Sequence, residues 1–338
     1  MAKVGVVGFG TIGERIADGL AKQSDMELVG VVDVAPTLPV RALVESDRVY
    51  PIYCGLPERI PVMEEAGIPI AGTLDDLLEQ VEMVCDATSP GIGMKNKEIY
   101  KRHGVKATFQ GGESDEISPI LFSSTANYDT AKAVDYIKLV SCNTTGIVRA
   151  VVAVDEAFGV ERALATIVRR AADPSEIHKG PIDAAIPGKV PSHQATDLMR
   201  VMPHLEAMGF IITVPTTHGH VIAMHVGLKK EITTENALEV LRQGRRIRMF
   251  RMEDGFLSNT HIFDYLRDLG VPRADMYEVG IWEETVLANG RDLYWIHNIP
   301  QEAIVIPENI DAIRARMGMQ EDRWDAVDTT DRYLGIAK

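Results

Sequence analysis

The sequence predicts a two-part α/β protein, on three observations. A glycine motif, Gly8-Phe9-Gly10-Thr11-Ile12-Gly13, sits between an apolar run and a helical pattern. Apolar runs then alternate with helical patterns as far as Val140, the order of an open sheet with helices between its strands. Beyond it the character changes to longer strand-like runs, with a hairpin signal at Asn289-Gly290. At 338 residues the chain is long enough for two domains and a sizeable core.

The first elements carry the glycine motif. Lys3–Val7 reads as a strand, Glu14–Lys22 as a helix with Ile16, Ala17 and Leu20 on one face, and Glu27–Val32 as a strand ending in Asp33. Gly8 permits the tight turn, Gly10 lets the backbone approach a pyrophosphate, and Gly13 lets the helix pack on the strand. A GxGxxG alone is often just a glycine-rich turn. Placed between strand and helix, with an acid 20 residues beyond Gly13, it reads as a dinucleotide-binding unit. Asp33 can accept hydrogen bonds from the adenosine ribose hydroxyls and would repel a 2′-phosphate.

Residues 34–60 hold four prolines and read as an irregular surface excursion, with Ile68-Pro69-Ile70 as a short edge strand. Thr73–Gln80 opens on an N-cap residue and reads as a helix. Val81–Cys85 and Val105–Phe109 read as strands around a helix at Asn96–His103. The loops that follow those strands, Asp86–Gly91 and Gln110–Glu113, stand at carboxyl ends of parallel strands, where ligands bind. Gly111 allows close backbone approach there.

Ile137–Val140 reads as a strand and Gly146–Val154 as a buried helix, so Ser141-Cys142-Asn143-Thr144-Thr145 forms the turn between them. Open N–H groups and the positive end of a helix dipole favour a thiolate at Cys142. The main-chain N–H groups of Asn143 and Thr144 are oriented to hold an oxyanion. A lone cysteine before a helix is more often a small core residue; the rest of the chain lifts Cys142 above that reading. Ala163–Arg170 is a strand ending in Arg169-Arg170, a pair that suits an anion or simply a solvated strand end. Loops follow at Ala171–Pro174, leading to Lys179-Gly180-Pro181, and at Pro191-Ser192-His193-Gln194. Phe210–Thr213 and Val221–Lys229 are strands around Val214–His220. The basic run Leu241–Arg251 reads as a solvated or intersubunit face. Asn259–Leu269 is a helix, Tyr277–Glu284 and Asp292–Ile299 are strands, and Pro307–Met317 begins a helical tail that returns to the N-terminal domain.

Lys and Arg number 35 against 49 Asp and Glu, a net charge of −14, which argues against nucleic acid or an anionic membrane as partner. Three cysteines, Cys54, Cys85 and Cys142, without CxxC pairing point to a reducing, cytoplasmic setting, with no disulfide framework and no metal site. The first residues are too short and Gly-rich for a signal peptide, and no apolar run is long enough to span a bilayer.

A nicotinamide cofactor together with a thiolate implies oxidation of an aldehyde. The thiolate adds to the carbonyl, hydride leaves the resulting thiohemiacetal, and a second nucleophile releases the thioester. A histidine has the right pKa to take the thiohemiacetal proton.

Motifs along nearly the whole chain sharpen this. GFGTIGERIAD, AGTLDDLLE, KNKEIY, FQGGE, VSCNTTG, IVRRAADP with KGPI, KVPSH, VPTT, EDGFLS, WEE and PQEAIVIPENIDAIRA occur in that order. With them the chain resembles the archaeal-type (type II) phosphorylating glyceraldehyde-3-phosphate dehydrogenases. The resemblance implies a Rossmann domain, an α+β catalytic domain with a mixed or antiparallel sheet, and a homotetramer. Its expected boundaries are 1–140 completed by 305–338, and 141–304. It implies Cys142 as nucleophile and cofactor contacts at Thr11, Ile12, Gly111, Arg170 and Gln301. It places Ser141, Cys142 and Asn143 in a substrate-binding turn and His193 with Gln194 beside the substrate. His220 falls near the family's base, with His218 as its competitor, and Arg169 is our own candidate for a phosphate contact. The implied partners are a small phosphorylated aldehyde and inorganic phosphate, with NAD as cofactor and NADP weaker.

The chain departs from the family pattern at three places. Asp33 stands near a position where the family commonly carries a basic residue. Gln194 replaces the second residue of a usual His-His pair, and Thr217-His218-Gly219-His220 differs from the usual run. Two other readings remain: a related dehydrogenase acting on erythrose 4-phosphate or aspartate semialdehyde, and a non-catalytic NAD-binding redox sensor. A sensor needs only the thiol, so the retained SCNTTG turn, His193, His220 and paired arginines weigh against it.

Overall fold

The computed structural model describes residues 1–171 and 184–336. The loop expected from Ala172 through Pro181 lies outside the described residues. In chain order the first elements are β1 (Ala2–Val7), α1 (Thr11–Ala21), β2 (Met26–Asp33), α2 (Leu38–Val44), β3 (Ile52–Cys54) and α3 (Ile60–Glu65). Next come β4 (Gly72–Thr73), α4 (Leu74–Leu78), β5 (Met83–Asp86), α5 (Ile92–His103), β6 (Lys106–Phe109), β7 (Leu121–Phe122), α6 (Ser124–Asn127) and β8 (Tyr136–Leu139). These strands form one sheet in the order β4-β3-β2-β1-β5-β6-β8-β7, parallel throughout. The order reverses between β1 and β5, the place where open α/β sheets bind ligands. Val7, Val32, Leu77, Val84, Tyr100 and Phe109 lie in the core that holds this sheet.

Two expectations for this region are corrected. Residues 34–60 are not an irregular excursion: they contain α2, β3 and the start of α3. Pro39 and Pro57 of that stretch, and Pro61 just beyond it, sit in the first turns of helical segments, where a missing N–H costs nothing and a fixed φ helps. Ile68-Pro69-Ile70 is not a strand. The Ile68 N–H closes the end of α3 by donating to Met63 O at 3.0 Å. At α4, Thr73 and Asp76 form the reciprocal cap that the N-cap residue suggested.

The second half contains α7 (Cys142–Phe158), β9 (Val160–Arg170), β10 (Ile186–Pro187), α8 (His193–Val201), β11 (Glu206–Val214), β12 (His220–Leu228) and α9 (Thr234–Gln243). It continues through β13 (Ile247–Phe250), α10 (Asn259–Asp268), β14 (Val279–Trp282), β15 (Leu287–Asn289) and β16 (Asp292–Ile299). Its sheet is mixed, in the order β10-β11-β9-β12-β16-β14-β13, with β15 hairpinned onto β16. Strand alternation decides the two faces. Ala163, Ala165 and Ile167 of β9 are buried, whereas Leu164, Thr166 and Val168 are partly exposed. The register puts Phe210 and Ala223 beside Thr166, and Met208 and His225 beside Leu164, so the partly exposed face is largely apolar. Of the basic run, Arg242 pairs with Glu283 at 2.6 Å, and Arg248 lies over the Phe250 ring.

The tail forms α11 (Ile306–Arg316) and α12 (Arg323–Leu334). It belongs to the compact unit of Met1–Ser124 and Tyr128–Val140; the other unit holds Thr125–Asn127 and Ser141–Val305. The buried Arg314 explains why. Its guanidinium donates to Gln23 at 2.6 Å, to Asp25 at 3.1 Å and to Thr330 at 3.0 Å. Removing one partner would strand a buried charge. Among the described residues no helix is long and apolar enough to cross a membrane.

Candidate functional site

In the first unit the glycine motif joins β1 to α1. Gly8 has φ +88°, and Gly13 leaves no room for a side chain, since a Cβ there would lie 1.9 Å from Gly8 O. Helix α1 therefore packs directly on the turn. Gly10 is its N-cap; no side chain caps the helix, and open space surrounds the Gly10 Cα. The first-turn N–H groups, including those of Thr11 and Ile12, make an anion-binding helix end.

Asp33 ends β2 beside this turn. Its carboxylate accepts main-chain N–H groups from Phe9 at 3.1 Å, Val34 at 2.7 Å and Ala35 at 3.3 Å. Burial raises the Asp33 pKa above the usual carboxylate value, outweighing those three donors, which lower it. Two guanidinium groups hold the loop that follows: Arg41 Nε donates to Pro36 O and Arg59 Nε to Val34 O, both at 3.1 Å. Arg59 was not singled out from sequence. It comes from another element, 26 residues beyond Asp33.

The two loops expected at the sheet's carboxyl edge are tied by buried acids that the motif reading missed. Asp86 accepts from Thr88 N–H at 3.0 Å, Asn96 at 2.9 Å and Tyr100 at 2.7 Å. Glu113 accepts from Gly91 N–H at 3.0 Å and Gly93 N–H at 3.1 Å, capping α5 and holding the Gly111 loop to it. Glu113 stands 21 residues beyond the start of the helix it caps, so the FQGGE run alone gave no signal for this role.

In the second unit Ser141 is the N-cap of α7 and Cys142 its first residue. Ser141 Oγ lies 3.4 Å from Thr144 N–H and 3.0 Å from Thr144 Oγ1. The cap thus uses Thr144 N–H, one of the two donors expected to face an oxyanion. Asn143 N–H, at the second helical position, has no intrahelical acceptor. Cys142 is half-buried, while Cys54 and Cys85 are buried. Burial pushes the Cys85 thiol up to about 12. The Asn143 side chain is buried, and its Oδ1 accepts no hydrogen bond.

His220 begins β12 and is buried. Its Nδ1 accepts the main-chain N–H of Arg170 at 3.0 Å. The Arg170 guanidinium pairs with Glu302 at 2.7 Å and donates to Thr217 O at 3.2 Å. That compensated charge ties the end of β9 to the 214–220 loop and to the turn carrying Gln301. A packing contact links His220 to the cysteine turn. His220 pairs with Ile299, and a Cβ on Gly146 would lie 2.1 Å from Ile299 Cδ1. Gly146 stands one turn beyond Cys142. His218 meets Thr217 Oγ1 through its Nδ1 at 2.8 Å and sets its ring edge-on to Phe263 of α10 at 4.4 Å.

His193 and Gln194 open α8, where a loop was expected. Their side chains meet at 2.9 Å, Gln194 Nε2 against His193 Nε2. Arg169 is exposed at the end of β9.

Comparison with known proteins agrees with both halves. Residues 141–276 match the family model described as glyceraldehyde 3-phosphate dehydrogenase, C-terminal domain. Residues 2–109 match the one described as dihydrodipicolinate reductase, N-terminus. Curated relatives named glyceraldehyde-3-phosphate dehydrogenase are similar over their full length. Those of Thermococcus kodakarensis and Pyrococcus furiosus are each 42% identical over 338 residues, 99% of either chain. That of Methanobrevibacter smithii is 38% identical over 99% of this chain and all of its own.

Proposed function

The chain belongs to the glyceraldehyde-3-phosphate dehydrogenase family, and on that premise we propose how its residues divide the work. It is an NAD(P)-dependent phosphorylating aldehyde dehydrogenase. Its reaction converts D-glyceraldehyde 3-phosphate and inorganic phosphate to 1,3-bisphosphoglycerate through thiohemiacetal and thioester intermediates on Cys142. The observation that carries this assignment of the nucleophile is the capped start of α7. Ser141 takes up the third N–H of the turn and leaves the Cys142 thiol half-buried at the positive helix end.

The first unit suits a dinucleotide. The uncapped N-terminus of α1, with open space at Gly10, would hold the pyrophosphate, and Asp33 the adenosine ribose. Gly8, Thr11, Ile12 and Gly13 shape that cradle. Gly111 and Gln301 contact the cofactor further along. Arg170 does so through the segment it orders, since Glu302 compensates its charge. When bound, NAD(P) supplies a hydride acceptor for the thiohemiacetal carbon. NAD is preferred over NADP, because Asp33 is an anion where a 2′-phosphate would lie.

The remaining roles belong to the second unit. The Cys142 thiolate attacks the aldehyde carbonyl, and Asn143 N–H steadies the oxygen as it gains charge. Ser141 and Asn143 shape the turn around the substrate. His193, braced by Gln194, and the exposed Arg169 hold the phosphate groups of the substrates. His220 serves the reacting carbonyl. Hydrogen phosphate then attacks the thioester carbon, its proton passes to solvent, and the Cys142 thiolate leaves.

The chain assembles as a homotetramer. The apolar sheet face of Met208, Phe210, Leu164, Val168 and Ala223 supports self-association, because a face of that character needs a cover. Sedimentation of the purified protein checks it.

The function is tested with an aldehyde panel assayed for NADH with and without phosphate. Phosphate-dependent turnover is expected with glyceraldehyde 3-phosphate. Preference for erythrose 4-phosphate or aspartate semialdehyde would move the substrate. Absence of turnover with every aldehyde would leave a binding protein.

A further inference from the structure

The turn that carries Gly111 is held at both ends by groups distant in sequence. Gln110 follows β6, and its carbonyl accepts the Glu113 N–H at 3.1 Å, which closes the turn. The Glu113 carboxylate fixes the far end on the start of α5. The near end is fixed by the tail. Gln110 Nε2 donates to Asn309 Oδ1 of α11 at 2.9 Å, and Asn309 Nδ2 donates back to Gln110 Oε1 at 3.3 Å. Gln110 Nε2 also donates to Asp86 O at 3.3 Å. A main-chain carbonyl can only accept, so that bond decides which way round the Gln110 amide sits. Thr108 Oγ1 donates to Asn309 Oδ1 at 3.0 Å, and both Thr108 and Asn309 are fully buried. The amide pair therefore has one orientation. The same helix packs on α1, where a Cβ on Gly19 would lie 2.9 Å from Ile306 Cγ2.

We propose that the Gln110–Asn309 pair positions the turn that receives the nicotinamide half of the dinucleotide, so that the tail helix α11 completes the cofactor site of the first unit. This rests on the dinucleotide lying across the sheet edge with its pyrophosphate at α1 and its adenosine at Asp33. The strand order then decides where the other half goes. Adenosine at the end of β2 and pyrophosphate at the end of β1 leave the nicotinamide over the ends of β5 and β6, across the switch point. Those ends are the loop 86–91 and the turn 110–113. Gln110 ties the two together through Asp86 O. Gly111 has no side chain to anchor it, so its place is set by its neighbours, Gln110 foremost. Gln110 is half-buried at the edge, whereas Asn309 is buried beneath it. Asn309 acts through Gln110 and is a positioning residue.

Two measurements test this. The first is titration calorimetry with NADH and with ADP-ribose, which lacks the nicotinamide. Gln110→Met keeps the length of the side chain and removes its bonds to Asn309 and Asp86. Its NADH affinity should fall about tenfold, the worth of one net hydrogen bond, while its ADP-ribose affinity stays within about twofold. Thr108→Val is the control for stability alone, since it removes a buried bond to the same Asn309 oxygen and leaves those of Gln110. It should bind both ligands within about twofold of the unmodified protein. Equal loss of both ligands in Gln110→Met, or loss of neither, would overturn the proposal, and so would the same selective loss of NADH in Thr108→Val. The second measurement is amide hydrogen exchange on the cofactor-free protein, read by mass spectrometry. In Gln110→Met and in Asn309→Ser, peptides covering 110–113 should exchange at least about tenfold faster, with those covering 8–13 unchanged. Unaltered exchange at 110–113 would overturn the proposal. Binding of neither ligand by the unmodified protein would refute the dinucleotide reading and this inference with it; binding of both without a response in Gln110→Met refutes this inference alone.

Discussion

Cofactor choice should respond to a single atom at Asp33. Replacing Asp33 with Asn removes its charge and keeps an oxygen for the bonds from Val34 and Ala35, at 2.7 and 3.3 Å. It loses the bond from Phe9 N–H, which costs about 1 kcal/mol of stability. A 2′-phosphate carries near two negative charges. At about 5 Å and the dielectric of water, its repulsion by one carboxylate is roughly 1.5–2 kcal/mol. Half-burial of Asp33 strengthens that repulsion and salt weakens it. Arg41 and Arg59, already fastened to the same loop through Nε, offset part of it. The balance is a preference for NAD of at least about tenfold, or roughly 1.4 kcal/mol. The assay is kcat/KM with each dinucleotide in the unmodified protein, Asp33→Asn and Arg59→Gln. The Asn variant should narrow the gap mainly through NADP, and the Gln variant should widen it. Equal use of NADP by the unmodified protein would refute the reasoning and assign the 2′-phosphate to the two arginines. An unchanged ratio in Asp33→Asn would refute the role of the carboxylate.

Other outcomes follow from burial and close contact. Iodoacetamide should label Cys142 before Cys54 or Cys85, since both of those are buried and the Cys85 thiol is pushed up to about 12; peptide mapping reads the order, and faster labelling of Cys85 would contradict it. Gly13→Ala should destabilise the protein by about 1–3 kcal/mol, because its Cβ meets backbone at Gly8 O and the helix-propensity gain of about 1 kcal/mol does not compensate. Denaturant unfolding measures that loss, and a more stable variant would count against the packing described. His297 is fully buried, and burial lowers its pKa to about 3. Its unfolded form takes up a proton near the ordinary value of 6.5, so its contribution is intact above that pH and declines as pH falls toward 3. The slope is on the order of 1 kcal/mol per pH unit. His297→Asn, which keeps an acceptor for the Trp295 N–H, should flatten this acid limb, and an unchanged pH profile of unfolding would show another group responsible.

What was legible in the sequence was local. Gly8 and Gly13 declare the turn because no other residue fits it, and the serine before Cys142 declares a helix start. The same local reading failed where proline has two meanings. Pro39, Pro57 and Pro61 resemble breakers, yet each stands in the first turn of a helical segment. His193 and Gln194 looked like loop residues because the helix they open has few apolar residues near its start. The acids that organise the site were hidden for a different reason. Glu113 caps a helix that starts 21 residues earlier, and Glu302 neutralises an arginine 132 residues away. Such pairings depend on the sheet order, which no short motif encodes. The bond from Arg170 N–H to His220 Nδ1 joins residues 50 positions apart and had no sequence signal at all.

The central claim is the covalent intermediate on Cys142. Mixing the protein with NAD and glyceraldehyde 3-phosphate in the absence of phosphate, quenching in acid and weighing the intact chain tests it directly. The account predicts one acyl adduct per chain, located on Cys142, formed with one equivalent of NADH and discharged when phosphate is added. NADH formation without an adduct, or an adduct of equal yield in Cys142→Ala, would contradict it.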